Sequence, residues 1–104
     1  MTALTHENFS KTLNTIFRVQ LDGSPAVELE LTKVSELLLS PQQERFSIVF
    51  QGPMEPFLGQ GIQRLEHEEL KSIDLFLVPV GRDESGTFYE AVFNRFRGPL
   101  PSKA

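Results

Sequence analysis

The chain has 104 residues, 39% of them apolar and 23% charged, which suits a single globular domain with its own hydrophobic core and excludes a disordered segment. A net charge of −4, spread evenly along the chain, argues against a nucleic-acid surface. The absence of cysteine removes disulfides, thiol nucleophiles, Cys-ligated zinc and iron–sulfur clusters, and no apolar run approaches the roughly 20 residues of a membrane span.

The first element reads as a short helix. Thr5 is placed to cap it, and Leu4 and Phe9 occupy the two positions of a hydrophobic staple. Phe9 and Leu13 are four apart and should share a face of it, and Asn14 suits the left-handed residue after its end. Met1 to Thr5 carries no basic start and no apolar h-region, so a cytoplasmic location is expected.

From Thr15 the period changes to two. Phe17, Val19 and Leu21 alternate with Arg18 and Gln20, and Val27, Leu29 and Leu31 alternate with Glu28, Glu30 and Thr32. Asp22-Gly23-Ser24-Pro25 between them is turn chemistry, so the pair reads as an antiparallel hairpin. Leu37-Leu38-Leu39 breaks the pattern and reads as a helical turn or a loop lid, stopped at Ser40-Pro41.

RFSIVFQ is a strand with Phe46, Ile48 and Phe50 on one face. GPMEPFLGQG is a long loop, and GIQRLEH is a weaker strand. IDLFLVPV is apolar on both faces and is expected to be the most buried strand, with Pro79 at an edge, at a bulge or near the strand's end. GRDESG is a turn, and TFYEAVFN is the last strand.

Six short strands and one N-terminal helix predict a mainly β fold: a small six-stranded antiparallel barrel, or alternatively a two-layer sandwich. The barrel is preferred because closure hides the strand edges and next-neighbour hairpins suffice to build it. Residues 1–94 form the expected domain, and residues 95–104 form a flexible basic tail.

The densest cluster of chemistry-bearing side chains is QRLEHEELKSI, residues 63–73. A metal or catalytic site needs ligands that converge. Strand alternation sends Glu66 and His67 to opposite faces, so a site there needs help from His6 or Glu90. A solvated hairpin end is the plainer reading, with His67 fixing the turn through a backbone group. His6 lies in the first helical turn and His67 beside a turn, so neither reads as buried.

Glu90 shares its strand face with Phe88 and Val92, and a carboxylate among apolar neighbours usually finds a cation; Arg64 and Arg18 are the candidates. The GQG at residues 59–61 precedes no helix start and no Lys-Ser/Thr pair, so it meets neither phosphate-binding fingerprint. Arg95, Phe96, Arg97 and Lys103 could touch nucleic acid, but docking on a neighbouring subunit is at least as good a reading in an acidic chain.

Four segments stand in order: FSIVFQGP (46–53), QGIQRLEH (60–67), FLVPVG (76–81) and YEAVFN (89–94). In these the chain resembles a family of small bacterial β-rich domains of unknown function, over about the C-terminal half. The resemblance implies a compact β domain and supplies no catalytic residues. It also carries an association with the gene neighbourhoods of phage-tail-like and tail-collar proteins.

The expected role is therefore a non-enzymatic structural, assembly or protein-binding module, with no cofactor, no metal, no nucleic acid and no membrane. Its partner is a protein or a second copy. The expected contacts are Leu37, Leu38, Leu39, Met54, Phe57, Leu58, Arg95, Phe96 and Arg97. One alternative is a barrel enclosing a small apolar ligand, suggested by nine Phe and no Trp. The other is a hydrolase-type enzyme using Glu66, His67 or Glu90.

Overall fold

A computed structural model describes residues 4–21 and 25–96. The turn at Asp22-Gly23-Ser24 and the tail from Arg97 onward lie outside the described residues. Helix α1 spans His6–Lys11, and Thr5 caps it by accepting a hydrogen bond from the Asn8 amide at 3.1 Å. Leu4 and Phe9 both pack into the core, as the staple requires. Asn14 adopts the expected left-handed conformation, with φ 69°. Leu13 differs from expectation: the helix ends at Lys11 with Thr12 as its cap, so Leu13 leaves the helical face and is exposed.

Seven strands follow: β1 Ile16–Val19, β2 Val27–Val34, β3 Leu38–Leu39, β4 Gln43–Gly52, β5 Gly61–His67, β6 Lys71–Asp83 and β7 Gly86–Phe96. All the pairings are antiparallel. The order β2-β1-β5-β6-β7-β4, closed by pairing of β2 with β4, makes a six-stranded barrel with β3 as an extra strand on β4. The ring is not built from next-neighbour hairpins alone. Residues 53–60 carry the chain from the end of β4 to β5, which pairs with β1, giving a Greek key.

The inward positions form the core, from Phe17, Val19, Leu29 and Leu31 through Phe46, Ile48 and Phe50 to Leu65, Leu75, Leu77, Tyr89 and Ala91. These side chains form one hydrophobic cluster inside the ring. Strand β6 is a second departure from expectation. It alternates, with Ile73, Leu75 and Leu77 buried while Asp74 and Phe76 face out, so its apolar composition marks an apolar outer face and not a doubly buried strand. Pro79 does sit at an irregularity, where the β6–β7 register shifts between Pro79 and Gly81.

The triple leucine is neither helical turn nor lid. Leu38 and Leu39 pair with Arg45 and Glu44 of β4. Strand β7 also runs past the expected tail boundary, with Arg95 and Phe96 paired to Glu44 and Gln43. The start of β4 thus lies between β3 and the end of β7, as a three-stranded ribbon beyond the closed ring. At the opposite end of β7, Gly86 has φ +137° and its α-carbon faces the Gly52 carbonyl so closely that a Cβ would collide with it. Only glycine fits both conditions.

Candidate functional site

The QRLEHEELKSI stretch forms the β5–β6 connection. His67, the last residue of β5, points inward beside Leu65 and is buried at 7% exposure, contrary to the sequence expectation. Its ring lies against Phe17, with centroids 4.3 Å apart. Nδ1 accepts the backbone N–H groups of Glu69 (3.0 Å) and Leu70 (3.1 Å), so the ring proton belongs on Nε2. Nε2 then donates to the Thr15 hydroxyl at 2.8 Å, and Thr15 donates to the Thr12 carbonyl at 2.6 Å.

This chain of bonds ties the β5–β6 turn to the end of α1. Burial pushes the His67 pKa below the ordinary 6.5, against the smaller opposing pull of Glu69 and Glu68. The imidazole is therefore neutral and has both nitrogens engaged. Glu68, Glu69 and Lys71 are solvated, and the Lys71 ammonium donates to the Glu68 carbonyl at 3.1 Å. Glu66 faces out, opposite His67, and accepts from the Ser72 hydroxyl.

His6 is engaged elsewhere. Its Nε2 lies 2.8 Å from the Ser35 carbonyl, and its ring stands edge-on to Phe46. Among the described residues no three His, Asp or Glu side chains gather to hold a metal ion. The sequence pointed to His67 but not to Thr15, which is 52 residues away and carries no local signal of that contact.

The other end of the barrel is closed by residues 53–60. Tyr89 is buried, and its phenol oxygen accepts the Leu58 N–H at 3.0 Å. Arg82 donates to the Met54 carbonyl (3.1 Å) and the Glu55 carboxylate (3.3 Å), and its guanidinium lies over the Phe57 ring. Of the contact candidates here, Met54 and Phe57 are exposed as expected, whereas Leu58 is buried at 4% exposure because it plugs this end.

Neither arginine expected beside Glu90 is there. Arg64 pairs with Asp74 directly across the ladder at 2.9 Å and holds that carboxyl below its usual range, while Arg18 pairs with Glu28 at 3.5 Å. Glu90 faces outward, half-buried, between Val49 of β4 and Val78 of β6. Its carboxylate makes no hydrogen bond or ion pair with any described residue, and neither does the Arg45 guanidinium. Both line one shallow depression with Leu38, Ser47 and Val92.

The remaining candidates divide by face. Leu38 and Leu39 are each 56% exposed on β3, and Phe96 is exposed at the end of β7. Leu37 is half-buried against the core. Arg95 turns back to the Leu4 carbonyl and to Glu44, with its guanidinium over Phe46 and Phe93.

No helix among the described residues is long and apolar enough to cross a membrane. A family model described as a domain of unknown function, DUF6916, matches residues 4–93, which is most of the chain. No curated protein and no solved structure matches it.

Proposed function

We propose that this chain, which belongs to the DUF6916 family, is a non-enzymatic assembly module that binds protein through the outer face of its barrel. The observation that carries this reading is a contrast between two sides of the ring. Outward positions of β1 and β2 are mostly polar, with Arg18, Glu28 and Glu30 beside the single large apolar Ile16, close to the expected wet face of an antiparallel sheet. Outward positions of β5, β6 and β7 include Ile62, Phe76, Val92 and Phe96, all more than half exposed. Ile62 and Phe76 are direct cross-strand partners, and Leu38 of β3 flanks the same surface across β4. Large apolar side chains gathered on one solvent face cost solubility and mark contact surfaces.

The dispersal of the titratable groups supports the non-enzymatic part. His67 is occupied by the turn it braces, Glu66 lies on the opposite face, and Glu90 stands between two valines. A nucleophile–base pair needs groups within hydrogen-bond reach.

Cross-linking and affinity capture in the host cell test the reading, using wild-type protein and a Phe76→Asp/Val92→Asp double variant of matched thermal stability. A specific protein partner captured by the wild type and lost in the variant is the expected result. Equal capture by both, or no partner at all, overturns the proposal.

A further inference from the structure

We infer that the surface around Glu90 and Arg45 binds a second copy of this chain, about a two-fold axis that crosses β4 and β7 at the Ser47–Val92 pair. This deepens the protein-binding reading and rests on it. On the outer face of β4 and β7 the paired rows are Arg45–Asn94, Ser47–Val92 and Val49–Glu90. Successive rows lie two residues apart, about 7 Å along the strands. Arg45 and Glu90 therefore stand one row to either side of Val92, on adjacent strands and with opposite charge.

A two-fold axis through the middle row carries each onto the other. In an isologous contact residue i meets j of the second copy while j meets i. Arg45 of each chain then meets Glu90 of the other, with Val92 against Val92 between the two ion pairs. An axis tilted to align both pairs leaves the strands of the two sheets crossing at a shallow angle, as in ordinary face-to-face sheet packing.

The exposure pattern agrees. Val92 is 59% exposed at the proposed centre, and Leu38 adds a second apolar side chain beside Arg45. Neither the Glu90 carboxylate nor the Arg45 guanidinium has a hydrogen bond or ion pair among the described residues, whereas Arg18, Arg64 and Arg82, elsewhere on the barrel, are each paired within the chain. A half-buried carboxylate flanked by valines gains most from a cation that arrives with its own apolar surroundings.

Sedimentation equilibrium with a charge-swap series tests this. The wild type should form a dimer. Arg45→Glu and Glu90→Arg should each weaken it by about tenfold or more, because each places like charges opposite one another. Dimerisation should return in the Arg45→Glu/Glu90→Arg double variant, and as a heterodimer when the two single variants are mixed. Circular dichroism melts establish that each variant is folded, and Val92→Lys offers a second disruption at the axis.

A wild type that stays monomeric to millimolar concentration overturns the inference, and leaves the binding-module proposal to its own capture experiment. A dimer indifferent to the swaps also overturns it, since the contact then lies elsewhere.

Discussion

At one end of the barrel a helix is held by a buried imidazole; at the other a loop is held by a phenol and an exposed guanidinium. At the helix end, His67 joins two backbone amides to Thr15, which in turn bonds the Thr12 carbonyl at the end of α1, and Phe9 drives α1 into the core. At the loop end Leu58 is plugged in and its amide is met by Tyr89, but the Arg82 contacts are half in water. Stability is therefore concentrated at the helix end. Removing a buried polar group that satisfies several partners leaves each of them desolvated, whereas an exposed ion pair exchanges freely with solvent.

Four substitutions rank the two ends. Phe9→Ala should have the largest effect, about 3–5 kcal/mol lost, because a fully buried ring in contact with Phe46 and Phe93 leaves a cavity. Urea unfolding at constant m-value measures it. His67→Ala should cost about 2–3 kcal/mol, from two orphaned amides and the lost contact with Phe17. Tyr89→Phe removes one acceptor and keeps the ring, so a loss of about 1 kcal/mol is expected. Arg82→Ala should cost less than about 1 kcal/mol. If Arg82→Ala proved costlier than His67→Ala, the contrast between the ends would collapse.

The pH dependence sharpens the same contrast. The folded-state pKa of His67 lies below its ordinary value of 6.5, so the folded chain resists a proton that the unfolded chain accepts. The contribution of the neutral imidazole is complete above 6.5. It is lost as pH falls from 6.5 toward the lowered folded value. Urea midpoints at about pH 7.5 and about pH 5 should therefore diverge in the wild type, and less so in His67→Ala.

Much of the fold is legible in local pattern. The Thr5 cap, the left-handed Asn14 and the inward sets on β1, β2 and β4 follow from spacing, because capping and strand alternation are short-range effects. Three features are not legible, each for a physical reason. The Greek-key crossing depends on which distant edge accepts β5, a contact the loop sequence does not encode. Strand β6 looks doubly buried because apolar residues facing solvent and apolar residues facing a core look alike in composition. Leu38 and Leu39 form a strand only because β4 is long enough to template them.

The candidate site shows the same division. Alternation correctly separates Glu66 from His67 and places Glu90 among apolar neighbours. Burial of His67 follows from Thr15, and the missing partner of Glu90 follows from where Arg18 and Arg64 find theirs. Both are tertiary facts.

On this reading His67 braces the barrel, while the proposed self-association uses the outer face of β4 and β7. The dimer dissociation constant of His67→Ala, measured by sedimentation equilibrium at a temperature where the variant is folded, tests it most directly. A value within about twofold of wild type is expected despite the lower stability, since distant sites act independently. Intact stability with lost association would contradict it.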